Sequence, residues 1–361
     1  MKAMILAAGL GTRLQPLTNV VSKPMVQMVG RPCMEHAVRL LRKHGFDDIV
    51  VNLHHMPEKI KGYFGDGSKF GVKITYSYEE ELLGTAGGLK KVESFFGGEP
   101  VLIVSGDGLT DINLTEFFRH HKEQGGIATL ALKEVTEPSL YGVVVQEGER
   151  IRAFQEKPAK EEAISNLANT GIYLFEPEIF VHIPAQSFYD FGRQVFPELM
   201  DKGEKMAGYK MSGYWCDVGD LAVYREAHYD MLTGQVQVDL PGKDIGSNIW
   251  LGKPVSVHKD AVLAGPVFLG DGCKLEKGAE IHGPAVLGKG CRVAEGAVLK
   301  RSILWDNVKV GTGAVVDDCI IAGDCDIPAG MKLEGEVLEE EMLAAYKEIA
   351  AGERRKPRGR G

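Results

Sequence analysis

Apolar positions along this chain follow two rhythms, and the change between them falls near residue 240. In the first part, short apolar runs alternate with stretches of helical periodicity. The run that ends in Ala7-Ala8-Gly9-Leu10-Gly11, with Ile49–Leu53 and Val101–Ser105, has the length of a buried strand, and Val72–Ser77 reads as another strand. Between them, Cys33–His44 carries Met34, Ala37, Val38, Leu40 and Leu41 on one helical face. Pro32 suits its first turn and Gly45 stops it. Pro57–Phe64 and Thr85–Phe96 read as further helices. Strands and helices alternating in this way predict an α/β fold, a mostly parallel sheet with helices on both faces. Ligands of such sheets bind beyond the carboxyl ends of the strands, so the loops opening at Gly9, Glu79 and Gly106 are expected at one edge.

In the second part, apolar residues return every sixth position, from Ile245, Leu251 and Val257 through Leu287, Val293 and Leu299. Small or apolar residues such as Ala261, Cys273, Ala285 and Cys291 fill the fifth place of each hexad. This predicts a parallel β-helix of three hexads per coil, with Cys273 and Cys291 stacked inside it. The beat slips by one residue at Leu304 and again at Ile321. The expected domains are 1–234, a linker at 235–244, the hexad prism at 245–335, and a short helix with a basic tail at 336–361. Val337–Ala350 is expected to form that helix.

Composition narrows the function more than the fold. The 361 residues are 44% hydrophobic and 25% charged, with a formal net charge of −8. That balance disfavours a general nucleic-acid or anionic-membrane surface, so any bound phosphate must meet a few placed cations. No apolar run approaches a membrane span, and the N-terminal residues lack a leader pattern, so a cytoplasmic protein is expected. The six cysteines contain no C-x-x-C spacing and read as buried thiols rather than disulfides or a zinc site.

The candidate chemistry begins at Ala7-Ala8-Gly9-Leu10-Gly11-Thr12-Arg13. Glycines let backbone N–H groups converge on an anion, but Leu14 breaks the dinucleotide fingerprint and no Walker sequence follows. Alone, Gly9-x-Gly11 reads either as a phosphate loop or as a plain strand-to-loop turn. Asp107, between Gly106 and Gly108 at the end of an apolar strand, reads either as a ligand for a hard cation such as Mg²⁺ or as a turn aspartate. Glu79-Glu80-Glu81 reads as a solvated loop. His54-His55 and His120-His121 read as solvated or core residues, and Cys216 as a small packing residue.

Taken in order, the motifs resemble the sugar-1-phosphate nucleotidyltransferases. They are Gly9-Leu10-Gly11-Thr12-Arg13-Leu14 with Lys23-Pro24, then Leu83-Gly84-Thr85-Ala86-Gly87 and Gly106-Asp107. Phe154-x-Glu156-Lys157-Pro158, Asn169-x-Gly171 and Trp215-x-Asp217-Val218-Gly219 follow. The segments from Glu137 to Val145 and from Gly213 to Gly219 are most similar to mannose-1-phosphate guanylyltransferases. Ser22 replaces the usual first proline of Pro-Lys-Pro, and Tyr78-Glu79 replaces a Gln-Glu pair near the base. The resemblance implies a Rossmann-like mixed sheet followed by a left-handed β-helix. It also implies that an NTP and a sugar-1-phosphate, with GTP and mannose-1-phosphate favoured, give an NDP-sugar and pyrophosphate with Mg²⁺. UTP or dTTP with glucose-1-phosphate is the alternative within the family.

The implied roles follow residue by residue. Leu6, Ala8, Gly9, Gly11, Thr12 and Arg13 would hold the nucleotide with Gly84 and Thr85. Arg13, Lys23, Asp107, Lys157 and Asp217 would be catalytic, with Asp107 and Asp217 binding the metal. Gly142, Glu156, Lys157, Asn169 and Thr170 would meet the sugar phosphate. Two other functional classes compete: a non-catalytic subunit sensing nucleotide sugars, and an acyltransferase in the prism, where His258 and His282 are predicted to point outward. Retention of all five catalytic residues argues against pure sensing. The prism is expected to mediate homo-oligomerisation.

Overall fold

A computed structural model describes residues 1–354, with side chains through residue 347. The basic tail expected at 354–360 lies outside the described residues, apart from the backbone of Arg354. The chain forms two compact units. The first contains Met1–Gly11, Val21–Met25 and Cys33–Gly219. The second contains Thr12–Val20, Val26–Pro32 and the chain from Asp220 onward. The last segment of the first unit ends at Gly219.

The first unit is built on a nine-stranded sheet. Its strands are β1 (Lys2–Leu6), β2 (Asp48–Leu53), β3 (Lys73–Tyr78), β4 (Val101–Ser105), β5 (Ala128–Glu134), β6 (Gly142–Glu147), β7 (Arg150–Glu156), β8 (Leu167–Phe175) and β9 (Met206–Lys210). Their order is β3-β2-β1-β4-β8-β5-β9-β7-β6. The first four run parallel, as the alternation of strands and helices predicts. Beyond them the sheet is mixed. β8 runs antiparallel between β4 and β5, β9 is parallel to β5, and β7 is antiparallel to β6.

Alternate residues of β1 feed opposite cores. Ala3 and Ile5 pack with Val38 and Leu41 of helix α1 (Cys33–Lys43), while Met4 packs with Ala86 and Leu89 of helix α2 (Gly84–Lys91). Both faces are thus covered, which is why the parallel strands read as continuous apolar runs. The helix expected over Thr85–Phe96 breaks at Val92 and resumes as Glu93–Phe96. Pro32 pairs with Gln27 in a two-residue strand rather than entering the helix.

The second unit is a prism of three parallel ladders. One ladder stacks Ile249–Leu251, Val267–Leu269, Ala285–Leu287, Ile303–Leu304, Ile320–Ile321 and Val337–Leu338. Leu269 lies over Leu287, Leu287 over Leu304, and Leu304 over Ile321, so both slips fall where the sequence placed them. The cause is a shorter corner. Residues 282–285 separate Ile281 from Val286, whereas residues 300–302 separate Leu299 from Ile303. Arg301 and Asp318 turn these tighter corners with left-handed φ of 44° and 53°. Gly335 turns a third at φ 70°, one slip that the hexad reading did not include.

Val337–Leu338 is therefore the last strand among the described residues, and the closing helix begins only at Glu340. At the other end, Lys243–Asp244 of the expected linker pairs with Trp250–Leu251. Cys273 and Cys291 are buried as expected, donating to the carbonyls of Gly288 and Trp305 at 3.1 and 3.0 Å. Leu287 is fully buried within this stack. Leu287→Ala is expected to destabilise the prism by about 2–5 kcal/mol, because neighbouring coils cannot collapse into the void. A urea titration followed by the Trp250 and Trp305 fluorescence would show the lowered midpoint.

Helix α3 (Leu221–Thr233) belongs to this unit because its tyrosine is hydrogen-bonded there. The Trp305 indole donates to the Tyr224 hydroxyl at 2.9 Å, and that hydroxyl donates to the Gln27 carbonyl at 2.5 Å. Arg225 pairs with Asp318 at 2.8 Å.

Candidate active site

The parallel strands end in one row. Leu6 aligns with both Asn52 and Ser105, and Asn52 with Ser77. The loops that follow these residues consequently gather at one edge of the sheet, as the topology requires. They enclose a cleft of about 250 Å³ whose lining includes Gly9, Glu79, Gly84, Thr85, Asp107 and Asp190. Leu6 and Ala8 also line it. A methyl group placed on Gly9 would meet no protein atom within 4 Å. Glycine there relieves no clash inside the protein; it keeps space open beside the backbone, which is what a bulky anion needs. Gly11 takes φ of 68°, a conformation that a side chain would strain.

Glu80 and Glu81 are exposed, as expected of a solvated loop, but Glu79 is not. It is 1% exposed, and its carboxylate accepts from Asn52 Nδ2 at 2.8 Å and from the Leu83 backbone N–H at 3.0 Å. Asn52 in turn accepts from the Ala7 N–H at 2.8 Å. His54 Nδ1 meets the Glu79 carbonyl at 2.9 Å, a packing role within the range expected for that histidine.

Gly84 and Thr85 join a second segment to the cleft. The Thr85 hydroxyl donates to Asp190 at 2.9 Å and accepts from the Phe191 N–H at 3.0 Å. A Cβ on Gly84 would fall 2.5 Å from the Tyr189 carbonyl oxygen, so only glycine allows this approach. The exposed ring of Phe188 completes this wall. Neither Asp190 nor Phe188 stands in a recognisable motif, and sequence reasoning missed both.

The charged centre brings together three predicted residues. Asp107 follows β4, and Asp217 ends a short strand, Trp215–Asp217, in which it aligns with Gly108. Lys23 Nζ sits between the two carboxylates, in contact with Asp107 and 3.3 Å from Asp217. The Ser105 hydroxyl also donates to Asp107. Burial alone would lower the Lys23 pKa, but the two carboxylates overcome it and hold the ammonium well above its usual value. Burial likewise opposes ionisation of Asp107, and the Lys23 charge outweighs it, leaving the carboxyl below its ordinary range. Among the described residues no group of three or more His, Cys, Asp or Glu side chains could hold a metal ion; Asp107 and Asp217 converge on the Lys23 ammonium.

The candidate sugar residues divide. The Glu156 carboxylate is packed between two glycines: a Cβ on Gly142 would lie 2.8 Å from its Oε2, and one on Gly192 2.5 Å. Burial raises the Glu156 pKa, with Asp190 adding to the effect and Lys157 and Arg193 opposing it. Lys157 is exposed with a left-handed φ of 44°, its N–H bonded to the Tyr141 carbonyl at 3.2 Å. Asn169 donates to the Tyr173 hydroxyl at 2.9 Å. Thr170 lies within β8. It is buried and its hydroxyl donates to the Ala131 carbonyl at 2.7 Å, inside the sheet.

Thr12 and Arg13 lie exposed on a 3-10 turn, in a segment grouped with the second unit. His258 and His282 are partly exposed on the prism and lie beside Asp260 and Glu280, facing outward as predicted.

Comparison with known proteins agrees with this geometry. Residues 2–234 match the nucleotidyl transferase family, and residues 263–350 match the GMPPB C-terminal domain. A UTP–glucose-1-phosphate uridylyltransferase of Synechocystis sp. is 40% identical over 339 residues, covering 90% of this chain and 87% of that one. A mannose-1-phosphate guanyltransferase beta-B of Xenopus laevis is 33% identical over 270 residues, covering 69% of this chain and 74% of that one. Among solved structures, a chain described as a glucose-1-phosphate thymidylyltransferase of Bacillus anthracis superposes with a TM-score of 0.58 at 28% identity. It covers 63% of this chain and 94% of its own length. With the glycine loop, the cleft and the Lys23–Asp107–Asp217 centre assembled in one unit, the chain belongs to the nucleotidyl transferase family, as a sugar-1-phosphate nucleotidyltransferase.

Proposed function

We propose that this chain joins a nucleoside triphosphate to a hexose 1-phosphate, with UTP and glucose-1-phosphate as the leading pair. The single observation that carries the reaction is the Lys23 ammonium held between Asp107 and Asp217 at the cleft. A phosphate oxygen of the sugar-1-phosphate attacks the α-phosphorus. The bond from that phosphorus to the bridging oxygen breaks, and pyrophosphate leaves. Such transfers need positioning and charge stabilisation rather than a protein nucleophile.

The backbone around Gly9 supplies N–H groups and room for the triphosphate. Lys23 offsets negative charge growing on the α-phosphoryl oxygens, and Lys157 is the cation for the sugar phosphate. From the order of the motifs, Arg13 is the cation for the departing pyrophosphate. Asp107 and Asp217 would hold a Mg²⁺ ion, since two carboxylates that already converge on one cation suit a hard ion completing its shell with phosphate oxygens. When bound, that ion supplies further stabilisation of phosphate charge. Glu156 and Asn169 are placed to orient sugar hydroxyls.

The choice of UTP and glucose-1-phosphate is supported by the Synechocystis relative, whose similarity runs through both units. GTP with mannose-1-phosphate is the second reading, favoured by the match of residues 263–350 and by the motifs from Glu137 to Gly219. The prism, whose His258 and His282 lie partly exposed beside Asp260 and Glu280, is read as an assembly domain for copies of this chain. Among the described residues, no helix is long and apolar enough to cross a membrane.

Purified chain with Mg²⁺ should be offered UTP, GTP, dTTP and ATP against glucose- and mannose-1-phosphate. Pyrophosphate release is expected to be fastest with UTP and glucose-1-phosphate. A faster GTP–mannose pair would exchange the two readings, and no release from any pair, with tight nucleotide-sugar binding, would favour a sensing role.

A further inference from the structure

We propose that Asn52 and Glu79 are positioning residues that hold the two loops flanking the nucleotide cleft at a fixed separation; this rests on the reading of that cleft given above. Each loop is tied by a side chain where no strand partner reaches it. The Ala7 N–H, just past the end of β1, donates to Asn52 Oδ1 and so anchors the backbone leading into Ala8 and Gly9. The Leu83 N–H, just before Gly84 and Thr85, donates to Glu79 Oε2. Asn52 Nδ2 and Glu79 Oε1 close the gap between them at 2.8 Å.

The relay has a direction that restricts which residues can form it. An amide at position 52 accepts from one loop and donates toward the other, whereas the carboxylate at position 79 accepts twice. Asn52 and Glu79 are 3% and 1% exposed, so water cannot replace a lost partner. Gly88 confirms how closely the relay is built in. A Cβ there would lie 2.7 Å from Glu79 Oε1 and 3.0 Å from Asn52 Nδ2. The candidate sugar-phosphate residues Lys157 and Asn169 take no part in it. A relay that sets the cleft should therefore affect the nucleotide and spare the sugar phosphate.

The test uses steady-state kinetics on the full chain, with melting curves and calorimetric binding of UTP and GTP. Asn52→Asp keeps the acceptor for Ala7 but sets a second carboxylate against Glu79. It is expected to raise KM for the triphosphate by about tenfold to a hundredfold. KM for the sugar phosphate should stay within about twofold, because substituted sites without shared partners act independently. The double variant Asn52→Asp/Glu79→Gln exchanges donor and acceptor, and should bring the triphosphate KM back to within about threefold of the parent. Gly88→Ala, which pushes a methyl onto the relay, should give the same nucleotide-specific rise if the single aspartate variant does not fold. Equal KM rises for both substrates with no rescue in the double variant would make this a structural strut and overturn the proposal. So would unchanged triphosphate binding in Asn52→Asp or Gly88→Ala. A parent chain that binds neither UTP nor GTP and releases no pyrophosphate would overturn the functional reading, and this proposal with it.

Discussion

Asp107→Asn is expected to lower kcat by on the order of 10²–10³, the range seen when one preorganised charge-stabilising contact is lost from a transition state. The reason is local. Asp107 is paired with Lys23, receives the Ser105 hydroxyl, and faces the cleft from the end of β4. Asparagine fills the same space without the charge, so the ammonium keeps only Asp217, and the Mg²⁺ ion proposed for this site would lose one of its two carboxylate donors. The melting temperature should change little compared with activity. Rates of pyrophosphate release, measured over a range of Mg²⁺ concentrations, would show the loss. A variant retaining near-parental kcat at saturating Mg²⁺ would remove Asp107 from the chemistry.

Lys23→Met is the second large effect, and it combines a catalytic loss with a reversal in pH behaviour. Removing the ammonium should also cost on the order of 10²–10³ in kcat, because charge on the α-phosphoryl group is no longer offset. In the parent, the folded Asp107 carboxyl lies below its ordinary value. Its pairing therefore stabilises the fold above the unfolded pKa, and that contribution disappears as pH falls through the folded one. Without Lys23, burial and the facing carboxylate both push the acid upward. The variant should then lose stability as pH rises through the raised pKa of Asp107, opposite in sign to the parent. Melting temperatures from pH 3 to 8 should slope upward in the parent's acid limb and downward in the variant. Parallel slopes in the two proteins would show that the ion triad contributes nothing to folding.

What could be read from sequence followed how far apart the cooperating residues lie. The first four strands were legible because each buried run is short, local and bounded by glycine, proline or polar residues. The placement of β8 between β4 and β5 was not, since it depends on pairings across as many as 74 residues that no local pattern encodes. The hexads were legible down to the slips at Leu304 and Ile321, because every coil repeats the same inward demand. Lys23, Asp107 and Asp217 came from ordered motifs, and the structure brings them within contact. Glu79 was misread because three consecutive glutamates look solvated, and nothing nearby shows that the first turns under Gly88. Thr85 was singled out without its partner, because Asp190 lies 105 residues later in a segment with no pattern of its own.

The shortened corners of the prism carry a consequence for how its length can change. Each ladder is kept by register, and the last coils return after 17 residues where the first return after 18. In this chain the residue is lost at the corners that turn left-handed at Arg301, Asp318 and Gly335. Anywhere else, a small insertion or deletion would swap inward for outward side chains along everything downstream. This domain therefore behaves like a ratchet: it can grow or shrink by whole coils, or by single residues at a corner, and has no stable length in between.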